Sequence, residues 1–197
     1  MTKKRPEKPR RYHHGDLKAV LKKAVLELVK ERGPRGFSLN EASRMAGVSV
    51  AAPYRHFADK DALLAAVICD GSALLEQELR DAANGAGTIK ERILAVGLAY
   101  IRFARTHAEY FTVMFTSGID KSKYPETVES AVQAFGVIRS LTRECEASES
   151  RALESAIGLW SMTHGLATLS SEGALGYASG AVIDEKLFRT LLMEAIG

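Results

Sequence analysis

Side chains that can bind nucleic-acid bases or phosphates cluster in one short part of the sequence. Arg55 can form a bidentate pair with guanine, and Asn40 can form one with adenine. Tyr54 and His56 suit phosphate oxygens, and so does Lys60, because a helix predicted to begin there would add its N-terminal N–H groups. A phosphate contact explains Arg55 as well as a base contact does, so both interpretations stay open.

The residues between these polar groups have little hydrogen-bonding capacity. Val50, Ala51 and Ala52 present only methyl groups, which can contact the methyl group of thymine. Pro53 lacks an N–H group, which matters least in the first turn of a helix, and its fixed φ would stiffen the start of that helix. The candidate DNA-binding residues are Ser38, Asn40, Ser49, Val50, Ala51, Ala52, Tyr54, Arg55, His56 and Lys60.

Two short helices joined by a glycine turn would hold these side chains. Ser38 and Glu41 form a capping-box pattern, which predicts the start of the first short helix. Gly47 suits the left-handed residue that ends such a helix, and Ser49 would then cap a second short helix ending near Phe57, its anchor. The pattern is typical of a helix-turn-helix, with an ordinary helical hairpin as the alternative.

A helix-turn-helix assigns a side to each of its apolar residues. Ala42, Met45 and Ala46 are expected to face the preceding helix, and Val48 is expected to fill the gap between the two short helices. Tyr54 either anchors the second helix on its inner side or leans outward.

Apolar residues recur at intervals of three and four along the rest of the chain, as in amphipathic helices, and strand-like alternation is not found. Asp16 suits the N-cap of the first helix, which Gly33 would end. Asp59 would cap a long helix over residues 60–83, and a capping box at Thr88 would open another. We therefore predict an all-α protein of about nine helices, which include an apolar segment at 110–115 and helices near 126–146, 149–172 and 184–196.

The composition is that of a globular protein with a real core, since 46% of the 197 residues are hydrophobic and 26% are charged. Cys69 and Cys145 form no CxxC pair, which favours two reduced thiols over a disulfide or a metal site. The basic N-terminus is no signal peptide, and the longest uncharged run, residues 155–171, is too polar for a membrane span. We expect a cytoplasmic protein that does not bind membranes.

Charge is distributed unevenly along the chain. Residues 1–60 hold 15 Lys and Arg against 6 Asp and Glu, a net charge of +9, whereas the remainder holds 12 against 18, a net charge of −6. The first third therefore favours an anionic partner, above all double-stranded DNA. The basic segment 1–15 is either a solvated arm without a function or an arm that contacts the DNA backbone or minor groove.

Residues 17–67 resemble the N-terminal domain of the TetR family of bacterial transcriptional regulators. The resemblance rests on Gly33, Ser38, Glu41, Ala46-Gly47-Val48-Ser49, Tyr54, Phe57, Lys60 and Leu63-Leu64. The segments YHHGDL and LWSMTHGLATL are similar to one branch of that family, which has a Trp-His-Gly-type C-terminal domain, through Trp160, His164 and Gly165. The resemblance implies a homodimer whose C-terminal helices form the dimer interface and a ligand cavity.

Catalytic or metal chemistry is not indicated. The five histidines form no HxxxH pair, and no acidic residue is spaced to complete a site with His164. The resemblance gives Trp160 and His164 a role in packing or in lining the cavity. We expect no enzyme activity, no cofactor and no metal.

Aromatic and methionine residues of the second half either form the core or line a pocket for an apolar or planar small molecule. The candidate pocket residues are Tyr100, Phe103, Tyr110, Phe111, Met114, Phe115, Phe135, Trp160, Met162 and His164. Small residues interleaved with leucines let helices approach closely, so the helices near 149–172 and 184–196 are the candidate dimer interface.

The sequence favours a dimeric transcriptional regulator, above all a repressor that a small molecule releases from a pseudo-palindromic operator. The expected organisation is a disordered basic arm (1–15), a helix-turn-helix domain (16–60) and a ligand-binding and dimerisation domain (61–197), joined through the helix at 60–83. One alternative is a DNA-binding protein without a ligand. Another is an all-α enzyme or lipid carrier whose basic end contacts membrane.

Overall fold

The computed structural model describes residues 17–180 and 183–196. Over these residues the fold is all-helical without a strand, as predicted, and no helix among them is long and apolar enough to cross a membrane. Short 3₁₀ turns occur at Pro53–Arg55 and Lys121–Lys123. The nine α-helices in the described part are α1 (Leu17–Arg32), α2 (Leu39–Met45), α3 (Lys60–Ala83), α4 (Ile89–Thr106), α5 (Ala108–Thr116), α6 (Pro125–Arg143), α7 (Glu149–Ser171), α8 (Ala174–Ser179) and α9 (Glu185–Ile196).

Most helix starts follow the local capping signals of the sequence. The side chains of Ser38 and Thr88 cap α2 and α4 in complete capping boxes. Asp59 Oδ1 accepts the Ala62 N–H at 2.8 Å and so caps α3. Asp16 and the arm at 1–15 lie outside the described residues.

The predicted second short helix at 49–57 is wrong in its geometry. The segment is a hydrogen-bonded turn followed by a single 3₁₀ turn at Pro53–Arg55. Pro53 has no N–H to donate to the Ser49 carbonyl, which removes one bond that an α-helix would make here, and the Ala52 N–H bonds the Ser49 carbonyl at 2.9 Å instead. The count of nine α-helices holds over the described residues because α8 forms where only a break was expected.

α3 is the central element of the molecule. It packs most extensively along α6 and also contacts α4 and α5, while α7 and α9 cover the other side of α4. We call residues 17–59 the head and α4 to α9 the body; α3 joins them. A single buried core runs from Leu21 in the head through Leu63 to Leu192 in α9. The head is therefore packed onto the body and is not attached by a flexible linker alone.

Candidate nucleic-acid interface and ligand cavity

A tight glycine turn ends α2. Gly47 has a φ of 69°, which favours glycine, and its N–H bonds the Arg44 carbonyl at 3.0 Å. The Val48 N–H bonds the Ser43 carbonyl, also at 3.0 Å. These two bonds form a Schellman motif, which reverses the chain and sends residues 49–57 back across the head.

Two buried residues orient the segment after this turn. Phe57 is only 6% exposed and Pro53 is buried, so both hold the segment against the head. Tyr54, between them, is 57% exposed and points outward, the second of the two orientations expected for it. In α2, Ala42 is buried as expected, but Met45 is 45% exposed and does not face the preceding helix.

The outer face of the head collects most of the candidate DNA-binding residues. Val50, Ala51, Tyr54, Arg55, Asn40 and Ser49 are exposed, and Ala52 and His56 are half-buried. Within the described part of the chain, the side chains of Asn40, Tyr54, Arg55 and His56 make no hydrogen bond or ion pair. Their donor and acceptor groups are therefore available to a partner.

Two other candidates already have partners inside the chain. Ser38 Oγ accepts the Glu41 N–H at 3.3 Å and donates to Glu41 Oε2 at 2.8 Å. Lys60 Nζ donates to the Arg35 carbonyl at 3.2 Å and lies 4.3 Å from the centre of the Phe37 ring, a cation–π contact. Burial lowers the pKa of Lys60. These contacts give Ser38 and Lys60 a positioning role in the head.

Glu41 is held in its ionised form. A hydrogen bond from Arg32 at 2.8 Å, together with the side-chain and backbone groups of Ser38, lowers the pKa of the Glu41 carboxyl to about 2. The same carboxylate thus completes the capping box of α2 and ties α2 to the end of α1.

The body contains a mostly apolar cavity between α3, α4, α5, α6 and α7. Its volume is about 80 Å³. Five of the candidate pocket residues line it: Tyr100, Met114, Phe115, Phe135 and Trp160. The remaining lining residues are Ile68, Ser72, Leu75, Leu79, Lys121, Thr127, Ala131, Ala134 and Ile138.

The other five candidate pocket residues lie elsewhere. Phe103 and Phe111 are core residues, at 0% and 7% exposure. Tyr110 packs against Gly71, where an added Cβ would lie 2.9 Å from the tyrosine ring. Met162 lines a separate recess beside Cys145. His164 lies behind the cavity wall.

A hydrogen-bonded group joins that wall to His164. The Tyr100 hydroxyl lies 2.9 Å from His164 Nδ1, and Trp160 Nε1 donates to the same hydroxyl at 3.4 Å. Burial lowers the pKa of His164 and raises the pKa of Tyr100, so the neutral forms of both are favoured. The hydroxyl can therefore donate to His164 while it accepts from Trp160, and its hydrogen-bonding capacity is largely used.

The sequence interpretation missed three polar residues of the described lining, Ser72, Lys121 and Thr127, of which the first two have polar groups free to meet a ligand. Ile68, Ser72, Leu75 and Leu79 lie on one face of α3, so a serine within that apolar stripe was the available signal for the first. Nothing local marks Lys121, which reaches the cavity from the 3₁₀ turn before α6. Among the described residues, no cluster of His, Cys, Asp or Glu could hold a metal ion.

A head with a short helix, a glycine turn and an exposed polar segment, packed on a helical body with an internal cavity, is consistent with a DNA-binding transcriptional regulator. Two family models match the chain: the bacterial regulatory proteins of the tetR family over residues 21–67, and the tetracyclin repressor-like C-terminal domain over residues 93–194. The chain belongs to the TetR family, whose members are transcriptional regulators and not enzymes.

Solved structures share the fold over nearly the whole chain. A Rhodococcus sp. RHA1 protein of unknown function is 30% identical, with a TM-score of 0.80 over 95% of this chain and 96% of its own. The TetR family regulator PfmR from Thermus thermophilus is 19% identical, with a TM-score of 0.67 and coverage of 90% and 96%. The regulator FadR from Bacillus subtilis, in complex with stearoyl-CoA, is 12% identical, with a TM-score of 0.72 and the same coverage. No curated protein matches the chain.

Proposed function

We propose that this DNA-binding regulator is a homodimeric repressor that binds a pseudo-palindromic operator and is released by a small molecule. The observation that carries the proposal is the pairing of two features in one packed core. The head exposes polar side chains without hydrogen-bond partners among the described residues beside its glycine turn. The body encloses a cavity that is lined in part by α3, the helix that joins body and head.

The DNA contacts follow from the outer face of the head. Arg55 and Asn40 would contact base edges, and the methyl groups of Val50, Ala51 and Ala52 would contact thymine. Tyr54, His56 and Ser49 would hold the DNA backbone together with Lys60 and Ser38, whose internal bonds also position α2 and α3. Because residues 49–57 form a turn and not a regular helix, base recognition would depend on a small number of contacts and on DNA shape.

The dimer would form through α7 and α9. Leu153, Ile157 and Leu169 are 37%, 47% and 43% exposed and, with Ser161 and Gly165, form a stripe of every fourth residue along α7. Among the described residues, a Cβ at Gly158 or Gly165 would meet no atom of another element within 4 Å. Glycine inside a helix costs roughly 1 kcal/mol relative to alanine, and intrachain packing does not require it here, so close approach of a second α7 is a sufficient reason. Met193 on α9, 43% exposed, would extend the same interface.

Release would act through α3. Its first residue, Lys60, bonds the head at the Arg35 carbonyl, and its Ile68, Ser72, Leu75 and Leu79 line the cavity. A ligand that favours another position of α3 would change the separation of the two heads, which must match successive major grooves about 34 Å apart. The Bacillus subtilis regulator solved with stearoyl-CoA shares this fold, which supports a ligand-binding role for the body.

Four finer assignments belong to the same proposal. The hydrogen-bonded group of Trp160, Tyr100 and His164 supports placement in the branch with a Trp-His-Gly-type C-terminal domain. The domain division at residues 15 and 60 and the DNA contacts of the basic arm remain predictions. A cytoplasmic location follows from the role, because a bacterial regulator meets its operator there.

Selection of duplexes from a random DNA pool, followed by anisotropy titration at several salt concentrations, tests the DNA-binding part. We expect an inverted repeat bound with a Kd on the order of 10 nM and a marked preference over scrambled DNA. Arg55→Ala should weaken operator binding by about tenfold and relax the preference at one position, whereas Arg105→Ala, an exposed arginine of α4, should leave both unchanged. Weak, sequence-independent binding that disappears with salt would contradict the proposal.

A further inference from the structure

We propose that the cavity ligand is a small apolar carboxylic acid that carries one additional neutral polar group on its chain. Its carboxylate would pair with Lys121 at the cavity mouth, and the neutral group would bond the Ser72 hydroxyl in the wall. The inference rests on the ligand-binding part of the proposed function and names the chemistry of that ligand.

Ser72 is the feature that requires a second polar group. Its side chain is 1% exposed, lines the cavity and has no hydrogen-bond partner for its hydroxyl within the described part of the molecule. A buried hydroxyl without a partner is unfavourable by about 1–3 kcal/mol, and a ligand hydroxyl or carbonyl would remove that penalty.

The other polar side chains of the wall already have partners. The Thr127 hydroxyl donates to the Tyr124 carbonyl at 2.7 Å, and the Tyr100 hydroxyl is shared by Trp160 and His164. A ligand can therefore form a hydrogen bond with Ser72 without breaking a bond that the protein already makes.

Lys121 gives the mouth its positive charge. It is the one charged side chain among the described lining residues, and none of those residues is acidic. Its ammonium donates only a long bond, 3.4 Å, to the Met114 carbonyl at the end of α5. In the same 3₁₀ turn, Lys123 lies 3.8 Å from the Asp120 carboxylate, whereas Lys121 has no ion-pair partner in the described ranges. An apolar cavity with a cation at its mouth suits an apolar anion.

The size of the cavity limits the length of the acid. Because a single water needs roughly 10–15 Å³, the cavity of about 80 Å³ holds roughly five to eight water-sized groups, which corresponds to an apolar chain of about eight carbons with its carboxylate at the mouth beside Lys121. Octanoate and phenylpropionate are therefore suitable probes. Long-chain acids would require the cavity to expand.

Titration of Trp160 fluorescence tests the anionic group directly, because Trp160 is the single tryptophan of the chain and lines the cavity. We expect octanoate to bind about three- to tenfold more tightly than octanol, since a charge-assisted hydrogen bond to Lys121 adds to the same apolar contacts. Lys121→Met should abolish this preference, and Lys121→Arg should retain it. Lys123→Met, in the same turn but outside the cavity lining, should behave as wild type.

A set of monohydroxylated octanoates tests the second polar group. At least one positional isomer should bind about three- to tenfold more tightly than octanoate, and Ser72→Ala should remove that advantage. The same substitution should raise the Tm of the ligand-free protein, because it removes an unpartnered buried hydroxyl. If no isomer gains affinity, or if Ser72→Ala lowers the Tm, the role assigned to Ser72 is wrong.

Operator anisotropy with the same probes separates this inference from the proposed function. The acids could bind wild type more tightly than Lys121→Met and yet leave operator binding unchanged. This result would support the ligand class and contradict the proposed release of the repressor from its operator. Octanol that binds and releases operator as well as octanoate would contradict the ligand class and support release. Preference for octanoyl-CoA over octanoate would show that a thioester is the ligand and would overturn the free-acid assignment.

Discussion

The head and the body each contain a helix that begins with a complete capping box, Ser38 with Glu41 in α2 and Thr88 with Glu91 in α4. α2 has seven residues, of which three are buried, whereas α4 has eighteen, of which ten are buried. A helix of two turns is marginal without its caps, but a long helix with a buried face is stabilised by packing. The same local motif therefore determines the structure of the head and contributes little to that of the body.

The functional groups of the two regions differ in the same way. The candidate DNA contacts lie within one short stretch, from Ser38 to Lys60, and most of them are held on the surface by the Gly47 turn and the buried Phe57. The cavity lining extends from Ile68 to Trp160 and exists only when five helices are packed together. Changes in the head should therefore alter DNA binding through local geometry, and changes in the body should act through assembly or through α3.

The largest expected effect is on assembly. Ile157→Lys places a charge in the proposed α7 interface, so the dimer should dissociate, and operator affinity should fall by about 10²–10⁴-fold because the two heads no longer act together. Sedimentation and operator anisotropy measure the two consequences. Val132→Lys, at a 62% exposed valine of α6, is the matched control. A dimer that survives Ile157→Lys but not Val132→Lys would place the interface on α6.

The capping boxes provide the direct comparison between head and body. Ser38→Ala should destabilise α2 by about 0.5–2 kcal/mol and weaken operator binding, since α2 positions the glycine turn and the Ser38 hydroxyl is itself a proposed backbone contact. Thr88→Ala removes the equivalent cap of α4 and should leave operator binding within about twofold of wild type. Circular dichroism melts and operator titrations of both variants are the measurements. Equal losses of operator affinity would contradict the distinction between the two regions.

Acid should affect the head through Glu41. Because the folded head lowers the pKa of this carboxyl from 4.5 to about 2, its contribution to stability is complete above about pH 4.5 and is lost as the pH falls toward 2. The Tm difference between wild type and Glu41→Gln should thus be largest near neutral pH and disappear on acidification. The pKa of Glu91 is also lowered, by the Thr88 backbone and side-chain hydrogen bonds, so Glu91→Gln is the body counterpart. We expect it to show a smaller difference, and a constant difference for Glu41→Gln from pH 6 to pH 3 would contradict the assignment.

The same contrast explains how much could be predicted from the sequence. The caps at Ser38, Asp59 and Thr88 depend on residues three positions apart, so the pattern alone predicts them. The sequence predicts that Pro53 lies in the first turn of a short α-helix. In the structure that helix does not form, and Pro53 begins a single 3₁₀ turn. The residues that line the cavity are determined by tertiary packing. Phe103, Phe111, Phe115 and Phe135 are all phenylalanines on predicted helices, but only Phe115 and Phe135 line the cavity.

The smallest expected effect is on the coupling between the two regions. The segment 117–124 contributes Lys121 to the cavity, and the Tyr124 hydroxyl donates to Asp59 Oδ1 at 3.3 Å, the oxygen that also caps α3. Burial and the nearby Asp59 raise the pKa of Tyr124, so the hydroxyl stays a donor. At the other end of the segment, Gly118 has a φ of 68° and lies against the Arg35 guanidinium.

Tyr124→Phe removes the hydrogen bond between this segment and the start of α3 and leaves the ring in place. We expect operator affinity without ligand, and ligand affinity without operator, to remain near wild type. The factor by which ligand weakens operator binding should fall by about two- to tenfold, the value of one hydrogen bond. Tyr177→Phe, at an 89% exposed tyrosine of α8, should leave that factor unchanged. If Tyr124→Phe leaves it unchanged as well, coupling passes through the α3 core alone, and the segment 117–124 serves only to bring Lys121 to the ligand.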